Sequence, residues 1–156
     1  MKILSIEEKK ENEFLRKTLS PIELSKEVRR ELRDLIKKMR VTMKEAIGIG
    51  LAANQVGRSE RLFVAQIDKK FYAIINPKIT KSYGEKIKAE EGCLSVPGKY
   101  GIVERAEKVV LEGYNIQGKK IKIKAWGLLA RVFQHEVDHL DGKVFLDRTK
   151  EVFEVE

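Results

Sequence analysis

The sequence has one cysteine, two histidines and no long apolar run in its 156 residues. Each scarcity excludes something. Cys93 has no partner in the chain, so no intrachain disulfide staples the fold. In a reducing compartment a lone thiol is a buried small residue, a nucleophile or a metal ligand. No apolar stretch approaches the ~20 residues that span a bilayer. The first apolar segment, residues 3–6, gives way at once to Glu7, Glu8, Lys9 and Lys10. That is shorter than the ~7–15-residue core of a signal peptide. A cytoplasmic location with no membrane partner is expected. No internal repeat and no low-complexity linker is found.

What is present is charge. Charged residues make up 36% and hydrophobic residues 42%, the composition of a soluble globular protein. The length suits one domain, 1–156, with a single core; residues 1–20 form an N-terminal arm and 149–156 a short acidic tail. The net charge is +8. Such an excess suits either an RNA-associated protein or a lysine-rich soluble surface. The lysines are spread along the chain and no recognition module appears, so no specific nucleic-acid partner is expected.

Both histidines fall in residues 134–142 (QHEVDHLDG). On a helix His135 and His139 lie about 40° apart, one turn above the other, with Glu136 about 60° beyond on the same side. Two neutral imidazoles can then share one metal ion, with a carboxylate close enough to work on water. Two histidines leave a catalytic metal short of its usual three protein ligands. The longer metalloprotease pattern H-E-x-x-H-x-x-G-x-x-H finds Gly142 in place but Phe145 where its third histidine belongs. Cys93, as a thiolate, is the remaining good ligand.

The chain around these residues reads as follows. Residues 7–20 carry a weak helical pattern, anchored by Phe14, Leu15, Leu19 and Ile22. Residues 20–23 (SPIE) have the form of a capping box, with Ser25 a competing start. Val28, Leu32, Leu35, Ile36, Met39 and Met43 predict an amphipathic helix of about five turns, ending near 46–48. Residues 48–53 match G-x-G-x-x-A, but a dinucleotide loop follows a strand and this one follows a helix. A loop admitting another backbone is expected instead, with Gln55 offering its amide. Strands are expected at 61–67 and 71–75, the second stopped by Asn76 and Pro77. Gly84 marks a turn within 78–90, and 91–98 is shaped backbone rather than a regular strand. Residues 108–114 and 120–125 form a hairpin around 115–119, with Ile121 and Ile123 alternating with lysines. After Gly127 the period becomes helical: Leu128, Val132, His135, Glu136 and His139 share one side, and Gly142 ends the helix. The fold class is α+β: an N-terminal amphipathic helix, antiparallel or mixed strands, and a buried C-terminal helix carrying HEVDH.

Three blocks, 48–55 (GIGLAANQ), 91–95 (EGCLS) and 134–139 (QHEVDH), taken together resemble the peptide deformylases. The resemblance covers about residues 25–148. It implies removal of the formyl group from N-terminal formylmethionine of new polypeptides by attack of a metal-bound water. It implies Cys93, His135 and His139 as metal ligands and Glu136 as general acid/base. Gln55, through its amide, and Leu94, through its N–H, steady the oxyanion. Gly50, Ile49 and Gly92 pair with the substrate backbone. Leu128 and Val132, read from helix faces, offer an apolar pocket for the methionine. The implied metal is Fe(II), with Zn(II), Ni(II) or Co(II) able to replace it. Formylmethionyl nascent peptides are the implied partners, with a transient ribosome contact. Asn54 departs from the proline common in the family. Arg105 either supports the site through Glu91 or Asp138, or lies on the surface. The alternatives are a zinc metallopeptidase and a non-catalytic ribosome- or RNA-associated basic protein.

Overall fold

The computed structural model describes residues 1–155; residue 156, the end of the expected tail, lies outside them. Its first long element is the expected amphipathic helix. We label it α2 (Lys26–Glu45), after a short α1 (Lys9–Leu15) in the N-terminal arm. α2 buries Leu32, Leu35, Ile36, Met39 and Met43 along one stripe. Each such side chain contributes about 1.5–3 kcal/mol when fully buried. The helix begins at Ser25, whose hydroxyl accepts from the Val28 N–H, and not at the SPIE box. The cause is tertiary. The side-chain amide of Asn76 takes both the N–H and the C=O of Ile22 at 2.8 Å, which keeps this stretch out of the helix.

Residues 50–52 are not loop but a short strand, β1 (Gly50–Ala52), followed by a 3-10 turn, Ala53–Val56. β2 (Leu62–Ile67), β3 (Lys70–Cys93), β4 (Val96–Tyr114), β5 (Lys120–Trp126) and β6 (Val152–Glu154) complete one antiparallel sheet. Its order is β1-β2-β3-β4-β5, with β6 also on β4. The strand expected to stop at Asn76 runs on to Cys93, 24 residues in all. Register shifts between Ile75 and Lys78 and between Tyr83 and Lys86 absorb Pro77 and Gly84. A bulge tolerates a missing N–H and a positive φ, so both residues sit inside a strand. Residues 91–98 form a tight hairpin, with Cys93 opposite Val96. The hairpin around 115–119 is as expected. The short tail adds β6 to the sheet, paired with residues 99–101.

β2 shows how the sheet is covered. Successive side chains point to opposite faces. Phe63 and Ala65 pack with Phe133, Val137 and Leu140 of the last helix, α3 (Gly127–Leu140). Leu62 and Val64 pack with the stripe of α2. Buried on both faces, β2 reads as a continuous apolar run.

Candidate active site

α3 carries two chemically different faces. Ala130, Phe133, Val137 and Leu140 bind it to the sheet. That fixes the neighbouring face, with His135, Glu136 and His139, toward the ends of β1 and β3. The end of β3 presents Cys93. Its Sγ is 3.2 Å from His139 Nε2, which is 3.2 Å from His135 Nε2. All three donor atoms lie within 4.8 Å of one another.

The hydrogen bonding at His135 suits the three to hold a cation. Glu91 Oε1 lies 2.9 Å from His135 Nδ1, and a carboxylate there accepts, so Nδ1 carries the proton and Nε2 is left as a donor to metal. Burial opposes charge on either ring. It holds His139 well below the usual imidazole value. At His135 hydrogen bonds to Cys93 and Glu91 outweigh burial and carry the ring well above it. One sulfur and two imidazole nitrogens are the donor set of a borderline-soft divalent ion. They leave a fourth position open, as catalytic sites do.

Behind the rings lies a buried charge network. Arg105, 5% exposed, donates to both oxygens of Glu91 at 2.6 and 2.9 Å and to Asp138 at 2.9 Å. Arg148 grips Asp138 through two further bonds. Arg131 donates to Glu91 at 2.5 Å, and to the carbonyls of Val103 and Ile87. Burial would raise the Glu91 carboxyl, but His135 and Arg105 hold it well below the usual carboxylate range. Glu91 is thus a fixed anion that orients His135. Asn54 donates to the His139 carbonyl at 2.6 Å and ties the 3-10 turn to α3.

Glu136 stands apart from this network. Burial pushes its carboxyl up to about 7, and its Oε1 has no hydrogen-bond partner among the described residues. Gly50 packs against it so closely that a Cβ there would collide with the carboxylate. Gln55 is held by its Oε1, which accepts from Ala52 N–H at 2.9 Å. Its Nε2 donates to Ser95 Oγ at 3.1 Å and lies 3.5 Å from Cys93 Sγ. Leu94 lies in the β3–β4 turn, outside the paired ladder. The N-terminal arm braces both segments: Leu4 N–H donates to Gln55 O and Ile6 N–H to Ser95 O.

These groups line a cleft of about 330 Å³. Every residue expected to act as metal ligand, catalytic group or substrate contact reaches it except His139, which is fully buried beneath. Ile49 and Gly50 form one wall at the free edge of β1, and Gly92 stands on the other. Val132 is buried in the wall, while Leu128, 56% exposed, stands at the rim. Arg105 is not a surface residue. Arg131, Ser95 and the Asn54 bond were missed. Only Arg131 had a signal, four residues before His135 on the same helical face.

Residues 2–154 match the family model for polypeptide deformylase. A peptide deformylase of Natranaerobius thermophilus is 50% identical over 126 residues, covering 80% of this chain and 81% of that one. One from Halothermothrix orenii is 44% identical over 147 residues, covering 90% and 95%. The crystal structure of a peptide deformylase from Thermotoga maritima matches with a TM-score of 0.87 at 37% identity, covering 96% of this chain and 97% of that one.

Proposed function

We propose roles for these residues from one premise: the chain belongs to the polypeptide deformylase family, and it hydrolyses the N-formyl amide of newly made polypeptides. The observation that carries the assignment is the convergence of Cys93, His135 and His139 at the foot of a cleft that also holds Glu136. These three would hold one divalent ion. Iron(II) is proposed, with Zn(II), Ni(II) and Co(II) suited to the same donors. When bound, the ion supplies Lewis acidity and makes water an acid of pKa about 7.

The protein's own groups do the rest. The free edge of β1, at Ile49 and Gly50, pairs with the substrate backbone as an added strand, and Gly92 faces it from β3. The methionine side chain lies along Val132 and Leu128, where an unbranched thioether fits an apolar wall. Glu136 takes the proton of the attacking water as hydroxide joins the formyl carbon. The C–N bond breaks, formate leaves, and the same carboxyl hands its proton to the departing amine. Negative charge grows on the formyl oxygen as the carbon becomes tetrahedral. The Gln55 amide, already oriented by Ala52 and Ser95, and the Leu94 N–H meet it. Removing one such donor typically costs ~10²–10³ in rate.

The chain thus acts as a single metallohydrolase domain on formylmethionyl peptides in the cytoplasm, with transient ribosome contact. Among the described residues no helix is long and apolar enough to cross a membrane. The test is formate release from formyl-Met-Ala-Ser by protein loaded with Fe(II) without oxygen. Turnover is expected, and cleavage of unblocked peptides is not. Absence of formate, or internal cleavage, overturns the proposal.

A further inference from the structure

We propose that the outer face of β3, β4 and β5 binds single-stranded RNA without regard to sequence. In an antiparallel pair, residues directly opposite share a face. Tyr83, Lys108 and Trp126 stand opposite one another across the three strands. The next row holds Lys81, Val110 and Lys124, and beyond it Glu112 faces Lys122. Lys120 follows along β5 at the same two-residue spacing. Ring contacts confirm the shared face: Lys81 Nζ lies 4.8 Å and Lys108 Nζ 5.9 Å from the Tyr83 ring centre. With Lys78 opposite Glu112 on β3, six lysines thus meet one acid. Among the described residues the only ion pair on this face joins Lys120 to Glu112, at 3.8 Å.

The same strands are buried on their other side, where Val109, Leu111 and Ala125 lie in the core beside α3. α2 covers the lysine side only as far as Tyr114. Beyond that point Lys81, Lys122 and Lys124 are exposed, Tyr83 and Lys108 half-buried and Val110 buried, and Trp126 is 69% exposed. A soluble protein gains nothing in stability from a bare indole between lysines. An RNA strand uses both kinds of group. Lysines along β5, about 6.8 Å apart, follow a phosphate backbone, and the exposed Trp126 indole offers a stacking surface for a base. Direction adds sense to the location: β5 ends at Trp126, two residues before Leu128 on the rim of the cleft. The inference rests on the sheet alone and does not depend on the roles given to the cleft residues.

Trp126 is the only tryptophan, so its fluorescence reports the event directly. The metal-loaded full chain is titrated with a twelve-residue oligouridylate. Saturable quenching is expected, weakening as salt rises. In the variant Lys122→Gln/Lys124→Gln, two lost phosphate contacts lower the slope of log affinity against log salt by about 1.4. Trp126→Ala, followed by anisotropy of labelled RNA, weakens binding about tenfold. Turnover of a short formyl peptide stays unchanged in both variants, which shows them folded and separates this face from the cleft. No quenching, or binding indifferent to both variants, overturns the proposal. So does a response to vesicles of anionic phosphatidylglycerol without one to RNA, which assigns the face to a membrane surface.

Discussion

α2 and α3 are both amphipathic helices packed on the same sheet, but they bury different things. α2 buries aliphatic and thioether side chains with Thr42, and neither an acid nor a histidine. α3 buries Glu136, Asp138 and His139 along with its apolar residues. The first arrangement is held by the area removed from water. The second adds polar groups whose burial costs several kcal/mol each unless partners are supplied. For Asp138 they come from Arg105 of β4 and from Arg148, ten residues on, while Arg131 of the helix itself pairs with Glu91 of β3. α2 should therefore tolerate changes that keep its volume, whereas α3 should tolerate none that unpair its charges. The one buried acid left out of the network, Glu136, is the one assigned to move a proton.

The sharpest test is Glu136→Ala. It removes a proton carrier and no metal ligand, so turnover should fall by ~10²–10⁴ or more while metal content is unchanged. Loss of metal together with activity would make Glu136 a ligand and erase the distinction. Next in size is Arg105→Met. Breaking a buried pair costs about 3–5 kcal/mol. Here the lower figure is expected, because Arg131 still reaches Glu91 and Arg148 still reaches Asp138. Urea unfolding of the wild type and the variant measures the difference. A change under ~1 kcal/mol would mean that the network carries no more than an exposed ion pair does.

The same contrast governs what the sequence reveals. The α2 stripe and the His135/His139 spacing repeat at helical intervals, so local pattern suffices to find them. Cys93 was reached because no third histidine exists and because three blocks occur in a family's order. β3 was cut short because Pro77 and Gly84 usually break strands. Whether a bulge absorbs them depends on β4, more than twenty residues away. The Arg131–Glu91 contact spans 40 residues and leaves no periodic trace. The lysines of β3, β4 and β5 look scattered in sequence and stand together only once the register is known. Ser25 won over Ser20 through a side chain at position 76, which no local capping rule contains.

Two smaller changes probe α2 from the opposite direction. Met39→Leu nearly conserves volume at a fully buried position, so it should cost under ~1.5 kcal/mol in urea unfolding. A larger loss would show α2 to be packed as exactingly as α3. Ser25→Ala removes the hydroxyl that accepts from Val28 N–H and should cost about 1 kcal/mol. α3 starts at Trp126 with no side-chain cap, so it is held by packing and by its arginine partners rather than by its end. If caps matter only where packing is purely apolar, Ser25→Ala lowers stability and leaves formate release untouched. A fall in turnover would mean that the start of α2 steers the 46–50 segment at its far end, where Ile47 takes a φ of 58° just before the cleft wall. The helix would then belong to the site as well as to the core.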